Sequence, residues 1–306
     1  MKYLNYSIIF FTIVIIYLLN NCGKKINNMT ICSWNVEWFG YSKKKNINGV
    51  INNLTDIEKL LDNLFYTKDI LYEMNAGIIC LQEVSSLPVV KKLNEYMSNY
   101  KLYYPKSIEV KNIKNKNNEN NENHEQFNVF LVDKNVSVIE FNEITKKLLH
   151  LKVYDKTLKK EISIYNIHLK SDYDKDSSEK RQEQINNILS VIKGRNEKNI
   201  VICGDFNSEL GSKELSILDY NGFVNILISR KNSLPNIKKN TLWKDVNNNQ
   251  LIDNNELQLI DYFYTTYNLL DDIKYSYIKF IFYQKANKND ILFKISDHYP
   301  IILHMK

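Results

Sequence analysis

The chain has 306 residues, of which 25% are charged and 44% hydrophobic, and 41 Lys+Arg against 35 Asp+Glu give a formal net charge of +6. This balance excludes a disordered chain, four Cys exclude a disulfide scaffold, and eight Gly with four Pro exclude collagen-like or Pro-rich material. The length suffices for one large domain or two small ones with real cores, and a charge of +6 at this size identifies no partner by itself.

Residues 1–22 read MKYLNYSIIFFTIVIIYLLNNC. One Lys precedes an apolar run from Ile8 to Leu19, shorter than the ~20 residues of a comfortable membrane span and suited to the hydrophobic core of an export leader. The run ends in Leu19-Asn20-Asn21-Cys22, which resembles a bacterial lipoprotein signal, where the Cys is acylated after cleavage. An uncleaved anchor and a plain secretory signal are the alternatives, and all three export the chain. Residues 23–29 read as a linker. Cys32, Cys80 and Cys203 each sit in an apolar, strand-like run (TICSW, GIICLQ, IVICGD) without a C-x-x-C, as buried free thiols do.

From Thr30 onward strands alternate with helices. Thr30–Trp34 is β-prone. Asp56–Met74 has helical spacing in Ile57, Leu60, Leu61, Leu64 and Phe65, and Gly77 stops it. Ile78–Leu81 is a short apolar strand and Val89–Met97 a second amphipathic helix. Lys111–Asn123 is almost wholly Lys, Asn and Glu, a solvated loop. Phe127–Val132, Val136–Phe141, Leu148–Val153 and Ile162–Ile167 read as successive strands. Ser178–Ile192 is helical, Ile200–Cys203 a strand, and Leu257–Thr265, Ile273–Phe282 and Tyr299–His304 finish in β-structure. This order predicts an α/β or α+β sandwich, with one domain over 30–306.

Polar residues recur at the ends of these strands. Asn35 follows TICSW, Glu83 follows IICLQ, His168 ends SIYNIH, Asp205 and Asn207 follow IVICG, Asp261 lies in LIDYFY, and Asp297-His298 precede YPIILH. An isolated Asp or Asn at a strand end is usually a turn former. Taken together, oxygen donors suit Mg²⁺, Ca²⁺ or Mn²⁺, and two histidines can move protons near neutral pH. Phosphodiester hydrolysis needs an activated water, a clamp for developing charge and help for the leaving oxygen.

The ordered series WNVEWFG (34–40), CLQEV (80–84), NIHLKS (166–171), GDFNSE (204–209), LIDYFY (259–264) and SDHYP (296–300) resembles the motifs of the endonuclease/exonuclease/phosphatase superfamily, the deoxyribonuclease I-like fold. The resemblance spans Thr30 to Met305. It implies a four-layer sandwich of two packed mixed β-sheets flanked by helices. It further implies that Asn35, Glu83, Asp205, Asn207 and Asp297 bind a divalent metal, Mg²⁺ in the first instance, or the phosphate. His298 would activate water, oriented by Asp261. His168 would protonate the leaving oxygen or stabilise the phosphate, with Glu125 orienting it. Two family positions differ: Ser85 replaces a basic residue after the QEV motif, and Lys146-Lys147 lie near the place of an Arg-x-Pro.

Within the superfamily, NIHLKSD has His where apurinic-site endonucleases have Tyr, and LIDYFY replaces the W-C-D-R stretch of inositol phosphatases. The helix SEKRQEQINNIL resembles that of bacterial nucleases, which makes Lys170 and Arg181 candidate substrate contacts. The expectation is an exported, monomeric endonuclease acting on DNA, or on RNA, with membrane contact through a lipid on Cys22. A sphingomyelinase-like phospholipid phosphodiesterase is the rival, followed by an inactive binding module. Lys43–Lys45, Lys111–Lys116 and Lys238–Lys239 could steer nucleic acid. Of the remaining histidines, His124 falls in the polar loop, His150 in a strand as packing and His304 in the last strand.

Overall fold

The computed structural model describes residues 29–39, 54–109, 125–172, 174–229, 240–243, 257–279 and 296–306, without the side chains of 54–63 and of Trp38. The leader with Cys22, the Lys-rich stretches, His124 and Tyr283 lie outside these residues.

Fourteen strands are found among the described residues. The first sheet has the order β13-β14-β1-β2-β4-β3, built from β1 (Thr30–Phe39), β2 (Ile78–Val84), β3 (Tyr100–Tyr103), β4 (Phe127–Asp133), β13 (Ile273–Ile278) and β14 (Ile301–Met305). The second has the order β5-β6-β7-β8-β12-β9, built from β5 (Ser137–Thr145), β6 (Leu148–Asp155), β7 (Lys160–His168), β8 (Ile200–Asp205), β9 (Phe223–Asn225) and β12 (Asp261–Thr266). A small ribbon pairs β10 (Leu242–Trp243) with β11 (Leu257–Gln258).

Each large sheet centres on one parallel pair, β1–β2 and β7–β8, flanked by antiparallel neighbours. A parallel pair needs a crossover. The helix α1 (Leu54–Met74) lies in the first crossover and α3 (Ser177–Arg195) in the second. Helix α2 (Leu87–Tyr96) follows β2, α4 (Lys213–Tyr220) follows β8, and the short α5 (Ile226–Ser229) and α6 (Tyr267–Leu270) flank β12.

The period-2 alternation of each strand feeds two different layers. Ile31, Ile78, Cys80 and Phe130 of the first sheet meet Leu149, Leu151, Ile162, Ile164, Val201 and Phe263 of the second in the central core. The intervening residues Cys32, Trp34, Ile79, Leu81 and Val129 face α1 and α2. Tyr165, Ile167, Ile202, Tyr262 and Tyr264 face α3 and α4. Both faces of the central strands are therefore buried, which is why they read as continuous apolar runs. The expected four-layer α/β sandwich is the one observed, and Cys32, Cys80 and Cys203 are buried free thiols.

Three differences have physical causes. Tyr100–Tyr103 forms β3, an edge strand too short to show a period. Lys213–Tyr220 forms α4, whose signal is the cap Ser212, its side chain accepting from Leu215 N. The strand expected over Ile273–Phe282 is β13, which ends at Ile278 and forms the edge of its sheet, where Tyr275 is exposed. Among the described residues, no helix is long and apolar enough to cross a membrane.

Candidate active site

The strand directions collect the polar ends at one rim. β1, β2, β7 and β8 end there, while β12 and β14 run antiparallel to β8 and β1 and begin there. In the second sheet His168, Asp205 and Asp261 stand in register on three adjacent strands.

Backbone irregularities aim the side chains. The β1–β2 ladder shifts between Asn35 and Phe39, and the β2–β4 ladder between Leu81 and Val84. Glu37, Glu83 and Asn207 have φ of 42°, 59° and 49°, a left-handed conformation that non-glycine residues adopt at a cost. Bulges of this kind re-aim side chains beside functional sites.

Asn35 bridges the two sheets. Its Nδ2 donates to Asp205 Oδ2 at 2.9 Å and to Glu83 Oε1 at 3.2 Å. Asp205 Oδ1 accepts from Asn207 N at 2.8 Å, and Asn207 Nδ2 donates to Leu169 O. His298 Nδ1 pairs with Asp261 Oδ2 at 2.8 Å, which leaves Nε2 facing Asp205 and Asp297, each 3.8 Å away. His168 Nε2 lies 3.6 Å from Glu83 Oε1 and 3.8 Å from Asp205 Oδ2. The His298 segment is tied to β1: Trp34 Nε1 donates to His298 O, Ser296 Oγ to Asn35 O, and Asp297 N to Glu37 Oε2.

Burial and mutual charge set the protonation pattern. Burial raises Asp205 to about 7, with Asp261 adding to the effect and His298 and Asn35 opposing it. Burial also raises Glu83, against the Asn35 hydrogen bond. For His298 burial works downward, but Asp261 and Asp205 outweigh it and hold the imidazole up to about 10. His168 goes the other way: burial, then Lys147 and His298, push it well below its usual value. Buried carboxylates this close together favour an added positive charge. Ligand atoms of Glu83, His168 and Asp205 lie within 4.8 Å of one another, as do those of Asp205, Asp261 and His298. Carboxylate oxygens with imidazole and no thiolate fit a hard divalent cation.

The rim thus brings together Asn35, Glu83, His168, Asp205, Asn207, Asp261, Asp297 and His298. Three other expected residues are placed differently. Glu125 pairs with Lys146 at 3.1 Å, and His168 Nδ1 finds no hydrogen-bond partner among the described residues, so Glu125 does not orient that imidazole here. Arg181 is buried, and its guanidinium is taken up by Glu214, Asp172 Oδ1 and Lys170 O, because it ties α3 to α4 and to the loop after β7. Lys170 is partly exposed and paired with Asp174 at 3.0 Å. Lys147, marked in the sequence only by its nearness to the place of the family's Arg-x-Pro, has a half-buried ammonium that donates to Gln126 and a charge that acts on Glu83, Asp205 and His168. Sequence reasoning missed Glu37, although that residue lies inside the WNVEWFG motif. His150, expected as packing, is fully buried beside Glu197 (3.1 Å) and Tyr165 (ring centroids 4.8 Å).

Residues 32–298 match the model of the Endonuclease/Exonuclease/phosphatase family. Among solved structures, an endonuclease/exonuclease/phosphatase family protein from Bacteroides thetaiotaomicron superposes with a TM-score of 0.63 at 14% identity, covering 91% of this chain and 97% of that one. TDP2 of D. rerio complexed with single strand DNA product gives 0.61 at 16% identity over 92% and 99%. TDP2 from C. elegans gives 0.57 at 18% identity over 92% and 76%. No curated protein matches the sequence.

Proposed function

The chain belongs to the endonuclease/exonuclease/phosphatase family, and from that premise we propose that it is an exported endonuclease that hydrolyses DNA. Membership supports metal-dependent phosphodiester hydrolysis in general terms, and the finer reading is our own. The observation that carries it is the convergence of the His298–Asp261 pair with Glu83, Asp205 and His168 at one rim. DNA is preferred because a structural neighbour was solved with a single strand DNA product. The H-L-K-S segment followed by the Arg181 helix supports the same choice.

Glu83 and Asp205, with Asn35, are the residues that would hold a divalent cation. When bound, the cation supplies Lewis acidity and positive charge to the phosphate. Asp261 fixes the His298 ring, so that Nε2 can take a proton from a water lying in the site. The carboxylates that keep this imidazole protonated include those that would face the cation, and neutralising their field frees it to act as a base. His168 stays neutral at neutral pH, so it fits a hydrogen-bonding role toward a phosphate oxygen better than the delivery of a full proton to the leaving group. Lys147 adds a fixed positive charge beside both. Lys170, on the loop after β7, remains a proposed phosphate contact.

The test is a substrate panel with the full-length protein: plasmid DNA, RNA and sphingomyelin, each with Mg²⁺, Mn²⁺ or Ca²⁺ and with EDTA. DNA cleavage that requires a metal and weakens steeply with salt is expected, because phosphate contacts release counterions. Inactivity on all three would overturn the enzyme reading, and sphingomyelin hydrolysis with a flat salt response would replace the nuclease by a lipid phosphodiesterase. Export and acylation at Cys22 are proposed from the leader sequence alone. Mass spectrometry of the chain from its cells should find a lipidated N-terminal Cys22, and an intact Met1 would contradict cleavage there.

A further inference from the structure

The geometry points to Asn166 as the positioning residue that fixes Glu83 relative to His168. Asn166 lies on β7 two residues before His168, and both face the space between the sheets while Tyr165 and Ile167 face outward. It is completely buried. A buried carboxamide has two donors and two acceptor sites to satisfy. Nδ2 donates to Leu81 O at 3.2 Å and to Val129 O at 2.9 Å, and Oδ1 accepts from Gln82 Nε2 at 2.8 Å and from Asn128 Nδ2 at 3.2 Å. All four partners belong to β2 and β4, in the opposite sheet.

Those two carbonyls mark the edge of a local distortion. The β2–β4 ladder pairs Leu81 with Val129 and next pairs Val84 with Phe127, so Gln82 and Glu83 together oppose Asn128 alone. This is a β-bulge, which opens the ladder and turns the bulged strand. Glu83 occupies its left-handed position and is aimed at the rim. Asn166 acts as a clamp at that point: from the second sheet it donates to the carbonyls of Leu81 and Val129, the last regular pair before the bulge. One side chain thereby links the strand that carries His168 to the distortion that presents Glu83, whose Oε1 stands 3.6 Å from His168 Nε2. Gln82 joins the same link, and it also donates to Ser33 Oγ on β1.

The inference rests on reading the rim as a divalent-cation site. It is tested by isothermal titration of Mn²⁺ alone into the full-length protein, wild type against Asn166→Ala, with Ile164→Ala as control. Ile164 is on the same strand and the same face and is equally buried, but it makes no contact of this kind with the bulge. Asn166→Ala should weaken Mn²⁺ binding by about 10–100-fold, the usual effect of losing a group that orients a ligand. Ile164→Ala should melt earlier yet bind Mn²⁺ within about twofold of wild type. If Asn166→Ala does not fold, Asn128→Ser removes one of the four hydrogen bonds and should weaken binding in the same direction. Wild-type affinity in the folded Asn166 or Asn128 variant would overturn the role of Asn166. A wild type that takes up no Mn²⁺ would instead overturn the cation reading beneath it.

Discussion

Gly204 offers the sharpest test of how the rim is built. It sits at φ +140°, and a Cβ placed there would lie 1.9 Å from Ile167 O and 2.9 Å from Ile167 C, both backbone atoms of the neighbouring parallel strand. Ordinary carbon contacts are about 3.5 Å, so Gly204→Ala must part β7 and β8 by roughly 1.6 Å. The next register pair is His168–Asp205, and Leu169 N–Asp205 O closes the same ladder. Overpacking costs about 1–3 kcal/mol and a glycine-only backbone a further 1–3, so about 4 kcal/mol is expected in total. At about 2–4 °C per kcal/mol, the melting temperature should fall by roughly 10 °C, with loss of hydrolysis. Gly222→Ala is the matched control: its φ is +82°, but nothing lies within 4 Å, so only the left-handed strain of about 1–2 kcal/mol applies. Thermal unfolding followed by circular dichroism, with turnover measured on both variants, decides. If Gly204→Ala melts with Gly222→Ala and keeps full turnover, the close approach of β7 to β8 described above is wrong.

Other perturbations separate site residues from supporting ones. His168→Ala and His298→Ala should each lower turnover by about 10²–10⁴-fold while the circular dichroism spectrum stays unchanged; near-wild-type rates would mean the roles are misassigned. Arg181→Ala leaves Glu214 buried and unpaired and should cost about 3–5 kcal/mol in denaturant unfolding, whereas Lys170→Ala, from a partly exposed pair, should change stability by less than about 1 kcal/mol. Glu197 is nearly buried; burial raises its carboxyl, but His150, Tyr165 and Arg195 outweigh that and hold it at about 2, against an ordinary 4.5. Its stabilisation is therefore complete above about pH 4.5 and fades as pH falls toward 2. The amount is on the order of 3 kcal/mol, so Glu197→Gln should be less stable than wild type at pH 7 and should approach it near pH 2 in urea titrations. A gap that persists at pH 2 would show that Glu197 acts by packing alone.

The sequence made the layers and the rim legible for related reasons. Strands buried on both faces leave long apolar runs, and their ends leave Asn35, Glu83, His168, Asp205 and Asp261 at the boundary where polarity returns. What stayed hidden depends on partners distant in the chain. Arg181 carries the sign of a phosphate contact, yet Glu214, 33 residues on, claims it from a helix too short to be read in advance. Glu125 stands where the family places an orienting carboxylate, but Lys146 takes it up. Asn166 belongs to a recognised motif, and its role becomes visible only when the fold sets it against Leu81 O and Val129 O, beside the β2 bulge in the opposite sheet. Lys147 is marked in the sequence only as lying near the family's Arg-x-Pro, and its charge becomes part of the site only when the fold half-buries it beside Glu83 and Asp205.

The most direct measurement of the central claim is hydrolysis of a simple phosphodiester, bis(p-nitrophenyl) phosphate, by the full-length protein after EDTA treatment and again after adding Mg²⁺ or Mn²⁺, with Asp205→Ala in parallel. The metal-free wild type should be inactive, added metal should restore turnover, and Asp205→Ala should remain at least about 10²-fold below it under the same conditions. Turnover unaffected by EDTA, or retained in full by Asp205→Ala, would contradict a metal-dependent site at this rim.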